Sequence, residues 1–288
     1  MESSMFRSPL RYPGGKACIF KFMTKLLEKN DLVGIDYAEP YVGGAGLALK
    51  LLMDEYVNEL FINDLDPSIY SLWYAILNYP NELCSWIEMV KVDVQQWLYY
   101  KNVQRNYKVA DALELAKSTF FLNRTNVSGV ISGGPIGGMS QKGKYKIDVR
   151  FNKEDLVARI EDISQFAHRI HLSNQNGVDF VDAIEQKCAH VFMYLDPPYY
   201  QKGADLYLNA FKDADHKILA EKVKKMRALW MVSYDYHEFV LNLYKGKSKV
   251  RYRLSQCASN RVGDEVVIFD DRLKFSEAIN ELNSPVVL

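Results

Sequence analysis

Cysteine is sparse in this chain of 288 residues: four, at positions 18, 84, 188 and 257, each standing alone. Without paired spacing they exclude a disulfide framework and a cysteine zinc site, and they fit a reducing compartment. Long apolar runs are missing as well. Stretches such as 191–195 fall far short of the roughly 20 residues that span a bilayer, and the polar N-terminus has no apolar signal core. The expectation is an unexported, cytoplasmic chain with no membrane partner. An excess of one charge is also absent, since 36 basic residues face 36 acidic ones, so net charge gives no argument for a polyanion. The histidines at 168, 171, 190, 216 and 237 lack metal-ligand spacing, and no metal is expected. Neither the full G-x-G-x-x-G dinucleotide pattern nor a P-loop occurs, which weakens NAD and ATP as ligands. With 48% apolar and 25% charged residues, disordered, collagen-like and coiled-coil readings fall away.

What is present is charge segregated along the chain. Residues 123–153 carry Arg124, Lys142, Lys144, Lys146, Arg150 and Lys153 against Asp148 alone, and residues 245–253 carry Lys245, Lys247, Lys249, Arg251 and Arg253 with no acid. Arg7, Arg11, Lys16, Lys21, Lys25 and Lys29 dominate the first 30 residues. Three basic segments on a neutral chain point to one positive face, as a polyanion requires; the plainer alternative is a solvated face for each.

Short apolar runs alternate with helical patterns. Strands are expected at 35–38 and 59–62 with a helix at 46–54 between them, which is a βαβ unit. A weak strand at 169–173, a helix near 178–185, strands at 191–195 and 228–233 separated by an amphipathic stretch at 213–227, and a closing hairpin of 250–254 with 265–269 complete the pattern. This predicts an α/β fold with a mostly parallel sheet covered on both faces. Between about 76 and 165 the alternation stops. Residues 81–106 and 110–122 read as helices, and 125–144 as a glycine- and serine-rich loop, so 76–165 is taken as a helical insertion carrying a functional loop.

Chemistry concentrates at strand ends. Asp196-Pro197-Pro198-Tyr199 follows the run 191–195 directly. In an open α/β sheet ligands bind beyond the carboxyl ends of strands, so Asp196 faces that crevice while two prolines fix the backbone. A carboxylate and a fixed carbonyl supply two acceptors for the two hydrogens of an exocyclic amine, and the tyrosine ring offers a flat surface for a base. Glu39-Pro40-Tyr41-Val42-Gly43-Gly44-Ala45-Gly46 is a glycine-rich turn between strand and helix, with Asp64 about twenty residues beyond, where a ribose-binding acid is expected. Arg11-Tyr12-Pro13-Gly14-Gly15-Lys16 is a turn before a helix. Asp179-Phe180 pairs an acceptor with an aromatic face, or equally a helix-start cap with a core residue.

In this order the stretches resemble the D12-class, Dam-like adenine-specific DNA methyltransferases of the alpha group. The resemblance extends through Asn63-Asp64, Asn123-Arg124-Thr125, Ser233-Tyr234-Asp235, and Asn260-Arg261 with the strand beginning at Glu265. It implies a Rossmann-like class I methyltransferase sheet, formed by 1–75 and 166–288, with 76–165 as an inserted helical target-recognition domain. It further implies S-adenosylmethionine as cofactor and transfer of a methyl group to the N6 amine of a flipped-out adenine in double-stranded DNA. Carried over by position, Tyr12, Lys16, Glu39, Pro40, Tyr41, Gly43, Gly44, Asp64, Asp179, Phe180 and Asp196 would hold the cofactor. Asp196, Pro197, Pro198 and Tyr199 would be catalytic, and Arg11, Asn123, Arg124, Asn126, Lys142 and Lys144 would contact DNA. The loop beginning Thr125-Asn126-Val127-Ser128-Gly129 departs from the Asn-Gly-Leu-x-Arg-x-Asn pattern of GATC-methylating members, so GATC is not assigned. Cytosine N4 or RNA adenine methylation, and an inactive DNA-binding module, stand as alternatives. A monomer or weak dimer is expected, in a bacterial, prophage or phage setting with a restriction endonuclease as candidate partner.

Overall fold

A computed structural model of the protein describes residues 8–11, 15–188, 190–201, 211–256 and 261–288. Among these, one eight-stranded sheet runs in the spatial order β3 (Ile170–Ser173), β2 (Val57–Asn63), β1 (Ile35–Glu39), β4 (Val191–Leu195), β5 (Leu229–Asp235), β7 (Arg261–Phe269), β6 (Lys249–Gln256) and β8 (Val286–Val287). The first five strands are mutually parallel, and β7, β6 and β8 pair antiparallel. The sequence explains the centre. All five residues of β4 are apolar and buried, as a strand covered on both faces requires.

The two faces divide by the period of two that a strand imposes. Val191, Met193 and Leu195 join Phe180, Leu219, Val223, Tyr234 and Tyr244 under α8 (Gly177–Lys187), α9 (Asp213–Lys224) and α10 (Glu238–Leu243). Phe192 and Tyr194 face the other way, into a core with Phe22, Leu26, Leu49, Leu52, Leu72 and Trp73 from α1 (Phe20–Lys29), α2 (Gly46–Met53) and α3 (Pro67–Asn78). Each fully buried leucine there contributes roughly 2 kcal/mol. The same core continues through Leu83, Trp97, Phe120 and Ile160 of α4 (Pro80–Met89), α5 (Val94–Arg105), α6 (Ala112–Thr125) and α7 (Lys153–Gln165). The helical stretch thus rests directly on α3, and residue 76 lies inside that helix.

Three features differ from the sequence reading. The helix expected over 81–106 is two, because Val90 turns extended and Asp93 caps a new start by accepting from the Gln96 amide at 2.8 Å. Helix α3, not foreseen, begins where Asp66 accepts from the Ser68 amide at 2.8 Å and Pro67 occupies the first turn. The third concerns charge. Because β5 and β6 both run antiparallel to β7, Lys245, Lys247 and Lys249 lie at the start of β6, at the opposite end of the sheet from the carboxyl ends of β4 and β5. A strand of this length spans about 25 Å. Lys247 there pairs with Asp271 at 2.6 Å, and Lys249 donates to the Lys247 carbonyl. The lysines of this third basic segment therefore do not share a face with the carboxyl ends of β4 and β5, whereas Arg253, paired with Asp264 in the ladder, lies toward that end.

The chain runs outward from β1 to β2 and β3, then returns to place β4 on the other side of β1 and continues to β5. That reversal opens a crevice beyond the carboxyl ends of β1 and β4, where ligands bind in open α/β sheets. Among the described residues no helix is long and apolar enough to cross a membrane.

Candidate active site

Asp196 stands at the end of β4 with its carboxylate half-buried. Lys16, in the short 3-10 turn Lys16–Ile19 before α1, reaches across and donates to both carboxylate oxygens at 2.8 Å. Ser233 of β5 donates to Oδ1 at 2.7 Å, and its own hydroxyl meets that of Tyr194 at 2.8 Å. The turn after the tetrapeptide is fixed from β5, since Asp235 accepts the backbone amides of Tyr200 and Gln201 at 2.8 and 2.9 Å. Pro197 and Pro198 contribute no amide and a restricted backbone, so the tetrapeptide is held at both ends.

Behind Lys16 lies a second carboxylate. Glu265 of β7 is buried, with Oε2 3.6 Å from the Lys16 ammonium. It accepts from the Tyr199 hydroxyl at Oε1 and from the Tyr252 hydroxyl at Oε2, the latter at 2.7 Å. Lys16 also donates to the Tyr199 oxygen at 3.1 Å. Burial alone would lower the lysine, which is only 5% exposed, but Asp196 and Glu265 outweigh it and hold the ammonium well above the ordinary lysine range. Burial also pushes the Glu265 carboxyl up, against the pull of Lys16 and the two tyrosines.

The glycine-rich turn forms the neighbouring wall. Gly43 and Ala45 adopt left-handed backbone (φ 47° and 50°), a conformation that glycine tolerates and alanine does not favour. The Gly43 amide donates to Asp64 Oδ2 at 2.9 Å, and the Asp66 amide donates to Oδ1 at 2.9 Å. Burial nevertheless pushes Asp64 up to about 7. Glu39, at the end of β1, is buried, accepts from the Tyr37 hydroxyl at 2.9 Å, and is raised by burial to about 8, with Asp196 adding to the shift. The Pro40 carbonyl accepts from Asn63 at 2.9 Å, and Gly44 is buried in the turn. Helix α2 starts without a side-chain cap. The Tyr41 hydroxyl is buried without a partner among the described residues and lies so close to Gly177 that any Cβ there would stand 2.4 Å from it.

The other expected cofactor residues are placed as follows. Phe180 packs in the core under α8, and Asp179 is exposed in the first turn of that helix, whose cap is Asn176 accepting from the Val178 amide at 2.9 Å. Tyr12 lies outside the described residues, as does Asn260. Tyr199 departs from the expectation of an open stacking surface: it is 4% exposed and its hydroxyl is spent between Lys16 and Glu265. Its neighbour Tyr200 is the less buried ring, stacked on Phe239 with centroids 4.5 Å apart.

On the insertion side, Asn123 and Asn126 do not present their amides to a ligand. Asn123 is 1% exposed, accepts the Arg11 amide at 2.8 Å, and donates to the Arg11 and Gly129 carbonyls at 2.9 and 3.0 Å. Asn126, fully buried, accepts from the Trp97 indole at 2.6 Å and donates to the Val130 and Ile131 carbonyls. Both fasten the loop; neither reads anything from that position. Gly129, at φ 76°, allows this close approach, because a Cβ would sit 2.3 Å from the Arg11 carbonyl. Arg11 donates to the Asn126 carbonyl at 2.9 Å, and Arg124 to the Arg150 carbonyl at 2.7 Å. Burial and the neighbouring Arg11, Arg159 and Arg150 lower Arg124 to about 10, and burial with Arg150 lowers Arg11. Asp155, on Arg159 at 3.0 Å, opposes that repulsion. Lys142 and Lys144 are exposed on the loop, Lys144 over the Tyr145 ring.

Glu265 and Tyr252 are the residues that sequence reasoning missed. A signal existed: Glu265 shares the phase of Val267 and Phe269, both core residues, so the alternation of β7 itself points the carboxylate inward. Among the described residues no group of three or more His, Cys, Asp or Glu could hold a metal ion.

Over residues 12–256 the chain matches the sequence profile of the D12 class N6 adenine-specific DNA methyltransferases. It is also similar to the type II methyltransferase M.MjaIII of Methanocaldococcus jannaschii, with 24% identity over 282 aligned residues that cover 89% of this chain and 95% of the relative.

Proposed function

The chain belongs to the D12 class N6 adenine-specific DNA methyltransferases; from that premise we propose that it takes its methyl group from S-adenosylmethionine and acts on an adenine flipped out of duplex DNA. The observation that carries this reading is Asp196 beyond β4 at the reversal of strand order, gripped by Lys16 at 2.8 Å and Ser233 at 2.7 Å. The amine lone pair of adenine is delocalised into its ring, so the nitrogen is a poor nucleophile until acceptors engage its hydrogens. Asp196 accepts one, and the carbonyl of Pro197 accepts the other. The amine lies inside the stack of a duplex, so the base must leave it, at a cost of a few kcal/mol.

The residues of the crevice suit the cofactor. Asp64 offers carboxylate oxygens to the ribose hydroxyls, and Asp196, joined by Glu39 where that acid is ionised, offers negative charge to a sulfonium. The uncapped start of α2 leaves amides for a carboxylate, beside Gly43, Gly44 and Lys16. Tyr41, whose buried hydroxyl has no partner among the described residues, marks a polar position between the glycine turn and the start of α8. When bound, S-adenosylmethionine supplies a methyl group already activated by its sulfonium, so the protein has chiefly to align it with the amine nitrogen.

Residues 1–75 and 166–288 form the catalytic part in this reading, and 76–165 the part that meets the target. The guanidinium groups of Arg11, Arg159 and Arg150 lower that of Arg124, and Arg150 lowers Arg11, while Asp155 opposes the shift at Arg124. That unbalanced charge suits a phosphate, and Lys142 and Lys144 extend it along the loop. The test is Asp196→Ala with mass spectrometry of digested DNA. Loss of N6-methyladenine with the fold retained supports the reading, and near-normal turnover removes Asp196 from the chemistry.

A further inference from the structure

The geometry points to Glu265 as a positioning residue: a second carboxylate behind Lys16 that draws the lysine off Asp196 so that one Asp196 oxygen can take the target amine. This rests on the reading of Asp196 as the amine acceptor. The argument begins with a count of lone pairs. A carboxylate oxygen accepts about two hydrogen bonds. Among the described residues, Oδ1 of Asp196 already takes two, from Lys16 and Ser233, whereas Oδ2 takes one, from Lys16. Oδ2 is therefore the oxygen with room for an amine hydrogen, and it accepts more strongly the less it is shared with the ammonium. Lys16 has somewhere to go. Glu265 Oε2 stands 3.6 Å from its nitrogen and is itself buried.

Glu265 is built to receive a cation. It is 2% exposed, and the hydroxyls of Tyr199 and Tyr252 both donate to it, an arrangement that suits the ionised form. The groups facing it are Lys16 from the 3-10 turn, Asp196 and Tyr199 from the segment after β4, Tyr194 from β4 and Tyr252 from β6. Asp235, its neighbour in the ladder, is turned to the Tyr200 and Gln201 amides. Glu39 acts on Asp196 from the other side. Burial raises the Glu265 carboxyl, so acidification protonates it and removes its pull on Lys16.

The experiment compares single-turnover methyl transfer by the full chain and by Glu265→Gln across pH, with cofactor and DNA affinities measured alongside. The glutamine keeps an acceptor for the tyrosines and removes the charge. The expected loss is roughly tenfold to a hundredfold in the rate at alkaline pH, smaller than for a group touching the reacting atoms, with both affinities unchanged. The ratio of the two rates falls toward one on acidification, because the parent then carries a neutral Glu265 as well. A merely structural role gives a ratio independent of pH. Tyr252→Phe, which withdraws one donor from Glu265, moves the acid limb to higher pH. A ratio near one, a pH-independent ratio, or an acid limb unmoved in Tyr252→Phe overturns the inference. Asp196→Ala separates the two levels: if it turns over normally, the assignment of Asp196 fails, whereas an inactive Asp196→Ala beside a fully active Glu265→Gln removes only the role given to Glu265.

Discussion

Binding of S-adenosylmethionine should tighten as pH rises through neutrality, and Asp64 is the reason. Its carboxyl is pushed up to about 7 by burial at the end of β2, in spite of the amides of Gly43 and Asp66 that bond to it. Ribose hydroxyls are donors, so they favour the ionised carboxylate. Binding then expels a proton wherever the free protein still holds it. The fraction of ionised Asp64 goes from about one-tenth at pH 6 to about nine-tenths at pH 8, which predicts a dissociation constant about tenfold lower, or roughly 1.4 kcal/mol, over that window. Glu39, raised to about 8, adds a second wave, so the measurement is best made in a Glu39→Gln background. Titration calorimetry in two buffers of different ionisation enthalpy gives both the affinity and the number of protons released. Asp64→Asn should bind more weakly at alkaline pH and lose this part of the dependence, and the difference between the two proteins removes the ligand's own titration. Equal slopes in the two proteins, or affinity that weakens from pH 6 to 8, would refute the reasoning.

Two further outcomes test the insertion. Replacing both Lys142 and Lys144 by alanine should weaken DNA binding and lower the slope of log affinity against log salt by about two, measured by fluorescence anisotropy at several salt concentrations; an unchanged slope places both lysines off the DNA. Asn126→Ala strands the Trp97 indole and the Val130 and Ile131 carbonyls, which should cost about 2–4 kcal/mol in urea unfolding, and a loss well below 1 kcal/mol would mean that the loop re-satisfies those groups from solvent.

The sequence was most legible where one local signal sufficed. Strand β4 was bounded to the residue because a five-residue apolar run buried on both faces ends at an Asp-Pro-Pro that cannot continue it. Other features depended on partners far along the chain. Nothing local to Asn123 and Asn126 announces that the Arg11 backbone and the Trp97 indole, 112 and 29 positions away, will consume their amides. Exposed polar residues and buried, satisfied ones look alike in sequence, and only burial separates them. Lys245, Lys247 and Lys249 were grouped with the other basic segments because charge can be counted along a chain, whereas which end of the sheet they occupy follows from strand direction, a property of the completed sheet.

Arg11 and Lys16 are each tied to a different part of the site. At one end, the Arg11 backbone is bonded on both its amide and its carbonyl to Asn123, while its guanidinium stands in the arginine cluster. At the other end, five positions along, Lys16 holds both oxygens of Asp196. The pairing of Lys16 with Asp196 has an electrostatic reason: an unpaired Asp196 beside Glu39 and Glu265 would gather three acidic groups with no cation among them, and Lys16, bonded to both Asp196 oxygens and 3.6 Å from Glu265, removes that conflict.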